Sequence, residues 1–286
     1  MNSGATRRTD GFTIVETMIV LAVSGALFVA IAASLSGRQN AAEFTNAIQG
    51  VQAQIQQTIN QVAEGYYPNQ QNFSCVAGGG GPQLTAGASG QGTNQDCVFL
   101  GKVMQFGVQN SNPEQYQTYT IAGLRTATTG TGSPFINTLP TVVGVGGNYT
   151  DYSDVHALKY GLSTRWVRVG ATTIGAVGFL MEPGAADGTT AAGYSSGGQQ
   201  VDVVPIRPTN VGQTLAQAIG GIEDANSGGG GLRDPQLGSS APVNPASGVT
   251  ICFVSGATNQ SGLITIGSNG RQLTVKLDIR SNQTCA

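Results

Sequence analysis

The stretch from Phe12 to Leu35 reads FTIVETMIVLAVSGALFVAIAASL and holds a single ionisable side chain, Glu16. As an α-helix, a segment of about 24 residues is roughly 36 Å long. That length crosses a hydrocarbon core of about 30 Å. The stretch therefore predicts a transmembrane helix.

The residues in front of this stretch set its orientation. Arg7 and Arg8 lie in a short N-terminal segment, which the positive-inside rule places in the cytoplasm. The rest of the chain is then expected outside. A cleavable signal peptide fits less well, because the apolar run exceeds the usual h-region of about 7 to 15 residues.

The charge of Glu16 is energetically unfavourable within this apolar run. A carboxylate near the centre of a membrane helix costs on the order of 2.5 to 3.5 kcal/mol, so a lone one usually has a partner. The alternative is that Glu16 lies near the cytoplasmic interface and reaches water.

The pattern Gly11-Phe12-Thr13-Ile14-Val15-Glu16, after a short basic leader and before a long uncharged run, resembles the type IV pilin and type II secretion pseudopilin family. The resemblance implies that a membrane prepilin peptidase cuts between Gly11 and Phe12 and methylates the new N-terminus of Phe12. It also implies that Glu16 neutralises the α-ammonium of Phe12 in a neighbouring subunit, which sets the axial stagger of a filament.

The family resemblance also implies partners and a location. The partners are other pilin subunits, the prepilin peptidase, the inner-membrane pilus assembly machinery and the lipid bilayer. The precursor is expected as a single-pass membrane protein with a cytoplasmic N-terminus, and the processed protein as part of an extracellular filament.

A second apolar pattern continues the helix. Its members follow one another at gaps of three or four residues, which keeps them on one helical face, and they are Phe44, Ile48, Val51, Ile55, Ile59, Val62 and Tyr66. Since no proline interrupts residues 12–67, we expect one helix of about 54 residues. The stripe is expected to pack on the protein's own head; a coiled-coil seam is the alternative. Many family members carry a proline in the apolar part, and this chain does not.

The remaining region reads mainly as β-structure with turn-rich loops. Alternation is clearest in 272–280, where apolar and polar residues follow each other. Strands are predicted at Val98–Val108, Tyr116–Leu124, Val155–Leu162, Arg165–Met181, Gln199–Ile206, Val249–Ser255, Leu263–Ile266 and Gln272–Arg280. A short helix is predicted at Val211–Ile219, and exposed loops at Gly78–Gly92 and Asn226–Ser247.

The predicted fold class is therefore α+β and type IV pilin-like. A long N-terminal helix, transmembrane and then amphipathic, packs on a mainly antiparallel β-sheet head. The expected organisation is a leader over 1–11, a transmembrane half over 12–36, an amphipathic half over 37–66 and an extracellular head over 67–286.

The four cysteines allow three pairings. Joining Cys75 to Cys97 and Cys252 to Cys285 gives two local bridges and is the simplest choice, and export from the cytoplasm makes disulfides feasible. Four reduced thiols are the alternative. Pilins commonly carry a C-terminal disulfide loop, which is similar in placement to the second pair.

Composition and motifs speak against catalysis. Charged residues make up only 10% of the chain, and its one histidine, His156, excludes paired-histidine zinc sites. Ser153 and Asp154 beside His156 lack triad geometry, since adjacency in sequence is not the spacing that triads use. Calcium ligation at Glu223 with Asp224, or at Asp151 with Asp154, has no EF-hand spacing. We expect no enzyme, no metal and no cofactor.

A weaker signal lies near the C-terminus. Arg271, Lys276 and Arg280 outnumber Asp278, and this stretch looks somewhat like the closing strands of the GspH/FimT type of minor pilin, some of which bind DNA. The three cations are a candidate nucleic-acid patch. A solvated strand face is the favoured interpretation, because a phosphate path generally needs more cations.

The sequence thus predicts a structural pilin subunit, and the large head favours a minor or adhesive pilin. The alternatives are a secretion pseudopilin, a DNA-uptake minor pilin and a stationary single-span adhesin or receptor. DNA and a host surface are candidate partners. Motility, adhesion, DNA uptake and secretion all use such a stem.

Overall fold

The structure is a computed structural model. It describes residues 13–65, 73–78, 81–86, 96–107, 112–125, 137–144, 153–181, 201–207, 215–224, 230–233, 248–268, 273–281 and 285. The chain divides into two compact units, Met1–Glu43 and Phe44–Ala286. Its class is α+β, with one long N-terminal helix and antiparallel sheets.

Helix α1 runs from Ile14 to Ala63 without interruption. Its sequence carries no proline, so every interior residue keeps the backbone donor that the helix requires. Glu64 and Gly65 end the helix, and Gly65 adopts a φ of 65° that favours glycine. The predicted single helix is confirmed over these residues; Tyr66, the last residue of the predicted stripe, lies outside the described part of the chain.

The strands of the described residues form three antiparallel sheets. A hairpin consists of β1 (Phe73–Gly78) and β2 (Gly81–Ala86). The first large sheet has the order β10-β9-β3-β4-β5, with β6 also pairing with β4, and contains β3 (Cys97–Phe106), β4 (Gln115–Leu124), β5 (Thr141–Val142), β6 (Ser153–Ala157), β9 (Ala176–Met181) and β10 (Val201–Ile206).

The second large sheet has the order β13-β12-β11-β7-β8. Its strands are β7 (Leu162–Val169), β8 (Thr172–Thr173), β11 (Val249–Ser255), β12 (Ser261–Ser268) and β13 (Leu273–Arg280). In β13 the predicted alternation is present: Val275 is buried, and Leu273, Leu277 and Ile279 pack against the core.

The main core lies between the second part of α1 and the two large sheets. Six of the seven predicted stripe residues are described, and all of these are buried: Phe44, Ile48, Val51, Ile55, Ile59 and Val62. They share one apolar cluster with strand residues such as Met104, Phe179 and Ile264. The stripe therefore packs on the sheets of its own chain, and a coiled-coil seam is excluded for these residues.

Polar side chains add to this contact. The Gln52 amide donates a hydrogen bond to the Val275 carbonyl (3.0 Å), and the Lys102 ammonium donates one to Oε1 of Gln61 (2.7 Å). Burial lowers the pKa of Lys102, while Asp154 raises it to a lesser extent. Two elements of the head are thus tied to α1 by hydrogen bonds as well as by apolar contacts.

Helix α2 (Leu215–Glu223) helps build a second apolar cluster on the opposite face of the first large sheet. A bulge in β3 shapes that face: the register shifts between Phe99 and Gly101, which lets Leu100 and Val103 join the same cluster. Gly101 has a φ of 146°, and a Cβ there would lie 2.1 Å from the Phe179 carbonyl oxygen. Only glycine fits this bulge without displacement.

Four sequence predictions were wrong in part. The segment Val155–Leu162 is not one strand, because a turn at Tyr160 and Gly161 separates β6, which ends at Ala157, from β7. The segment Arg165–Met181 is not one strand, because turns around Gly170 and before Ala176 divide it among β7, β8 and β9. The predicted loop Gly78–Gly92 contains β2, which pairs along its whole length with β1. The short helix is described over Leu215–Glu223 and so extends four residues beyond its predicted end at Ile219, while its predicted start, Val211, lies outside the described residues.

Candidate assembly helix

The first turn of α1 places Glu16 at a defined position. Thr13 precedes the helix, and its Oγ1 accepts a hydrogen bond from the backbone N–H of Glu16 (3.3 Å). Threonine at the N-cap with glutamate three residues later is the pattern of a capping box. Glu16 is therefore the third helical residue, where the helix dipole favours a negative charge by about 0.3 to 1 kcal/mol.

The first part of α1 exposes an apolar surface on all sides. Every described side chain from Ile14 to Ala32 is exposed. The large apolar residues keep between 54% and 77% of their surface accessible, and they include Ile14, Met18, Leu21, Leu27, Phe28 and Ile31. Such a surface needs lipid or other protein to cover it.

This helix meets the criteria of a membrane span. Its most apolar window has a mean hydropathy of 2.5, and by length and composition it is the one described helix able to cross a membrane. Two hydroxyl groups in its apolar part are bonded within the helix: that of Thr17 donates to the Ile14 carbonyl, and that of Ser24 to the Val20 carbonyl. The helix carries its own hydrogen bonds, as a lipid environment requires.

The predicted processing residues Gly11 and Phe12 lie outside the described residues, as does Arg271 of the predicted cationic patch. The structure thus places one of the two predicted assembly residues, Glu16, at the N-terminus of α1. It leaves the predicted pairing of Glu16 with Phe12 untested.

The cysteines form two disulfides, Cys75 with Cys97 and Cys252 with Cys285. The first joins β1 to β3. The second joins Cys252 of β11 to Cys285, the penultimate residue, and both pack with Leu263 in a small buried cluster. Each bond closes a local loop, and such a bond stabilises a fold by about 2 to 4 kcal/mol.

The described cations of the predicted patch lie on β13, at the edge of the second large sheet. Lys276 is exposed, and the Arg280 guanidinium forms an ion pair with Asp278 (2.9 Å). Sequence reasoning missed Arg168 on β7, whose guanidinium carbon lies 4.6 Å from the centre of the Trp166 ring. Arg168 lies on the same face as Lys276, because Arg168 is paired with Thr250, Thr250 with Thr265, and Thr265 with Lys276.

The other candidate residues have structural roles. The ring of His156 stacks on that of Tyr116, with centroids 4.8 Å apart. Glu223 accepts a hydrogen bond from the Val142 backbone N–H (2.5 Å); burial raises its pKa, and that bond and Arg233 oppose the shift. In the described part of the chain, no three His, Cys, Asp or Glu side chains form a metal-binding group.

Comparison with known proteins gave no further assignment: no family model, no curated protein and no solved structure matches this chain. The chemistry of α1 and of the sheets is therefore the basis for any functional conclusion.

Proposed function

We propose that this protein is a structural subunit of a type IV pilus-like filament, held in the membrane as a precursor and assembled through its N-terminal helix. The observation that carries the proposal is the first part of α1, an apolar surface exposed on all sides with one carboxylate in its first turn. The motif Gly11-Phe12 through Glu16, which resembles the prepilin cleavage site, supports it.

Magnitudes favour a partner for Glu16 over a purely local role. The capping position and the helix dipole stabilise its charge by about 0.3 to 1 kcal/mol. Placing that charge deep in hydrocarbon costs on the order of 2.5 to 3.5 kcal/mol. The local effects therefore do not offset the cost once the helix is surrounded by lipid or by other helices. An opposite charge from a second copy does.

Cleavage after Gly11 would supply that charge. It creates an α-ammonium on Phe12, four residues before Glu16 and at the same end of the helix. In a bundle of such helices, the ammonium of one copy and the carboxylate of the next form an ion pair. Removing either partner leaves the other as an uncompensated desolvated charge, which costs about 3 to 5 kcal/mol. The pair also fixes the axial offset between copies, because only one offset brings the two charges together.

The head then forms the outer surface of the filament. The second part of α1 and the two large sheets bury most of the described apolar residues of the head within one chain, and two disulfides link its strands and its C-terminal segment. The proposed partners during assembly are the prepilin peptidase, the inner-membrane assembly machinery and the bilayer.

Replacement of Glu16 tests the proposal. We expect Glu16→Gln and Glu16→Val both to abolish fibres in the sheared surface fraction while the protein still accumulates in the membrane. Glutamine keeps the capping-box residue type but removes the charge. Glu43→Gln, which removes an acid further along the same helix, is the matched control and should leave fibres intact.

Two results would overturn the proposal. Normal fibres from Glu16→Gln would show that the residue only caps its helix. An N-terminal peptide that begins at Met1, instead of at a methylated Phe12, would show that the leader is retained, as in a stationary surface protein. If Glu16→Gln causes a loss of protein export instead of a loss of surface fibres, the same stem belongs to a secretion pseudopilin.

A further inference from the structure

A buried lysine and a carboxamide meet where helix α1 packs on the first large sheet. Lys102 lies on β3, which is paired with β9 on one side and with β4 on the other, and only 8% of its surface is exposed. Its side chain reaches α1, where Nζ lies 2.7 Å from Oε1 of Gln61. A primary amine is therefore in direct contact with a carboxamide inside the head.

This contact brings the amine close to the carboxamide carbon. A carbonyl bond is about 1.23 Å long, so Nζ of Lys102 lies within about 3.9 Å of Cδ of Gln61. Reacting atoms in a near-attack arrangement are about 3 to 3.5 Å apart. The last torsion of a glutamine side chain is broad, and a small rotation about it closes the difference.

Both groups are held by ordered elements. Gln61 is followed in α1 by Val62, which is fully buried. Lys102 is paired across the sheet with Phe179 and Thr120, and both of these are buried as well. Holding two reactants in one geometry corresponds to effective concentrations of roughly 10⁵ to 10⁸ M. A reaction too slow between free molecules therefore becomes accessible here.

The surroundings of Lys102 favour its reactive form. Burial lowers the pKa of Lys102, and Asp154 opposes this shift to a lesser extent. The fraction of uncharged amine, which is the nucleophilic form of lysine, is therefore raised.

A hydroxyl group on the same face of the sheet can move protons. Thr118 is paired with Met104, two residues from Lys102, and such diagonal neighbours lie within reach of a long side chain. The Thr118 hydroxyl is buried and has no hydrogen-bond partner within the described part of the chain. A hydroxyl both donates and accepts a proton, so it is suited to a relay.

We propose that Lys102 and Gln61 of one chain join in an isopeptide bond. Nζ of the uncharged lysine attacks Cδ of the glutamine, the new C–N bond forms, and the bond from Cδ to Nε2 breaks. One proton passes from Nζ through the Thr118 hydroxyl to the leaving nitrogen, which departs as ammonia. The reaction consumes no oxidant and no further reactant.

The bond would tie the helix covalently to the sheet. Its strand, β3, is already joined to β1 by the disulfide between Cys75 and Cys97. Force applied to α1 would then reach the head through a covalent bond as well as through apolar packing. In the reacted protein Nζ is an amide nitrogen, so only the unreacted protein has a Lys102 amine that titrates. The proposal concerns the head alone and does not depend on filament assembly.

A tryptic digest of the reduced full-length protein, analysed by mass spectrometry, tests the proposal. Trypsin cleaves after Lys102 only when its amine is free, and the chain has no other lysine or arginine between Arg38 and Arg125. Unreacted protein gives the peptides 39–102 and 103–125. We expect a joined peptide 39–125, lighter than its sequence by the mass of one ammonia, about 17 Da, and increasing in amount during storage for days.

Two variants show which carboxamide reacts. Gln61→Met removes the proposed acyl donor and keeps the amine, so we expect cleavage after Lys102 at all times and no loss of mass. Gln57→Met is the matched control, because Gln57 is exposed one turn earlier on the same helix. It should give the joined peptide at the rate of the parent. The digest of the parent protein decides the proposal even if Gln61→Met does not fold.

Three results would overturn the proposal. The first is complete cleavage after Lys102 in stored parent protein. The second is a peptide 39–125 of unreduced mass, which would be an ordinary missed cleavage. The third is the same loss of mass in Gln61→Met, which would place the loss of ammonia at another residue.

Discussion

The two parts of helix α1 present opposite surfaces within one continuous element. From Ile14 to Ala32 every described side chain is exposed, whereas seven apolar residues from Phe44 to Val62 are buried in the core of the head. The backbone hydrogen bonds are alike in both parts. The difference lies in the pattern of apolar residues: all round the helix in the first part, and on one face in the second.

That contrast suits the two parts of the helix to two different environments. A helix that is apolar on all sides is stable where lipid or other helices surround it, and a helix with a single stripe is stable on a sheet. The second part is stabilised by its packing on the head. Substitutions there should therefore lower the free energy of unfolding of the head, whereas equivalent substitutions in the first part should not.

The largest expected effect comes from paired truncations of isoleucine. Ile48 is fully buried and Ile31 is 62% exposed. We expect Ile48→Ala to lower the free energy of unfolding of the head by about 2 to 5 kcal/mol. Ile31→Ala should change it by less than about 0.5 kcal/mol.

Urea unfolding in detergent, followed by the fluorescence of the single tryptophan Trp166, measures both values. Equal losses from the two variants would contradict the assignment of the two parts to different environments.

A smaller effect is expected where the helix meets β12. A Cβ on Gly262 would lie 1.9 Å from Cδ1 of Ile48, so Gly262→Ala forces the helix and the strand apart. We expect a loss of about 1 to 3 kcal/mol. Gly256→Ala, which meets no atom within 4 Å, is the matched control.

The energetic coupling between Gly262 and Ile48 can also be measured. Ile48→Val removes Cδ1, so the double variant should be more stable than the sum of the two single losses predicts. Strict additivity in the same urea titration would show that the close approach does not limit the packing.

The smallest effect concerns the buried Lys102. Burial lowers its pKa in the folded protein below the ordinary value of 10.5, so the unfolded chain binds its proton more tightly. The stability that this residue contributes is therefore greatest above pH 10.5 or so and falls as the pH drops through the lowered pKa. Lys102→Met lacks this dependence.

We expect the difference in unfolding free energy between the parent and Lys102→Met to shift in favour of the parent as the pH rises toward about 10.5. Burial raises the pKa of Tyr116 to about 12, so the stability that Tyr116 contributes falls as the pH rises. This contribution is the same in the parent and in Lys102→Met, and it cancels in the difference between their unfolding free energies. A difference that stays constant between pH 8 and 10.5 or so would show that Lys102 is not desolvated.

Much of the fold could be predicted because its signals are local. The stripe at gaps of three and four residues, the alternation in β13 and the unbroken run without proline each depend on near neighbours in sequence. The strand Val249–Ser255 has the bounds that the sequence predicts. The hairpin β1–β2 could not be found this way, since its glycine-rich sequence is equally typical of a loop.

The candidate site residues also differ in whether the sequence alone singles them out. Glu16 stands out from sequence alone because it is the one charge in an apolar run. Arg168 does not, since in sequence it lies more than a hundred residues from Lys276 and no pattern links the two. They share a face only because β7, β11, β12 and β13 pair in one register.

The sequence by itself therefore determined the long helix, the change after residue 36 from an apolar surface on all sides to a single apolar stripe, and the singular position of Glu16. Helical periodicity and the cost of a charge in lipid are properties of residues that are near neighbours in sequence. The tertiary structure alone decided which strands are neighbours, where the bulges at Gly101 and Arg165 fall and which cations share a face. Strand pairing joins residues that are distant along the chain, and its register is set by packing of the whole core.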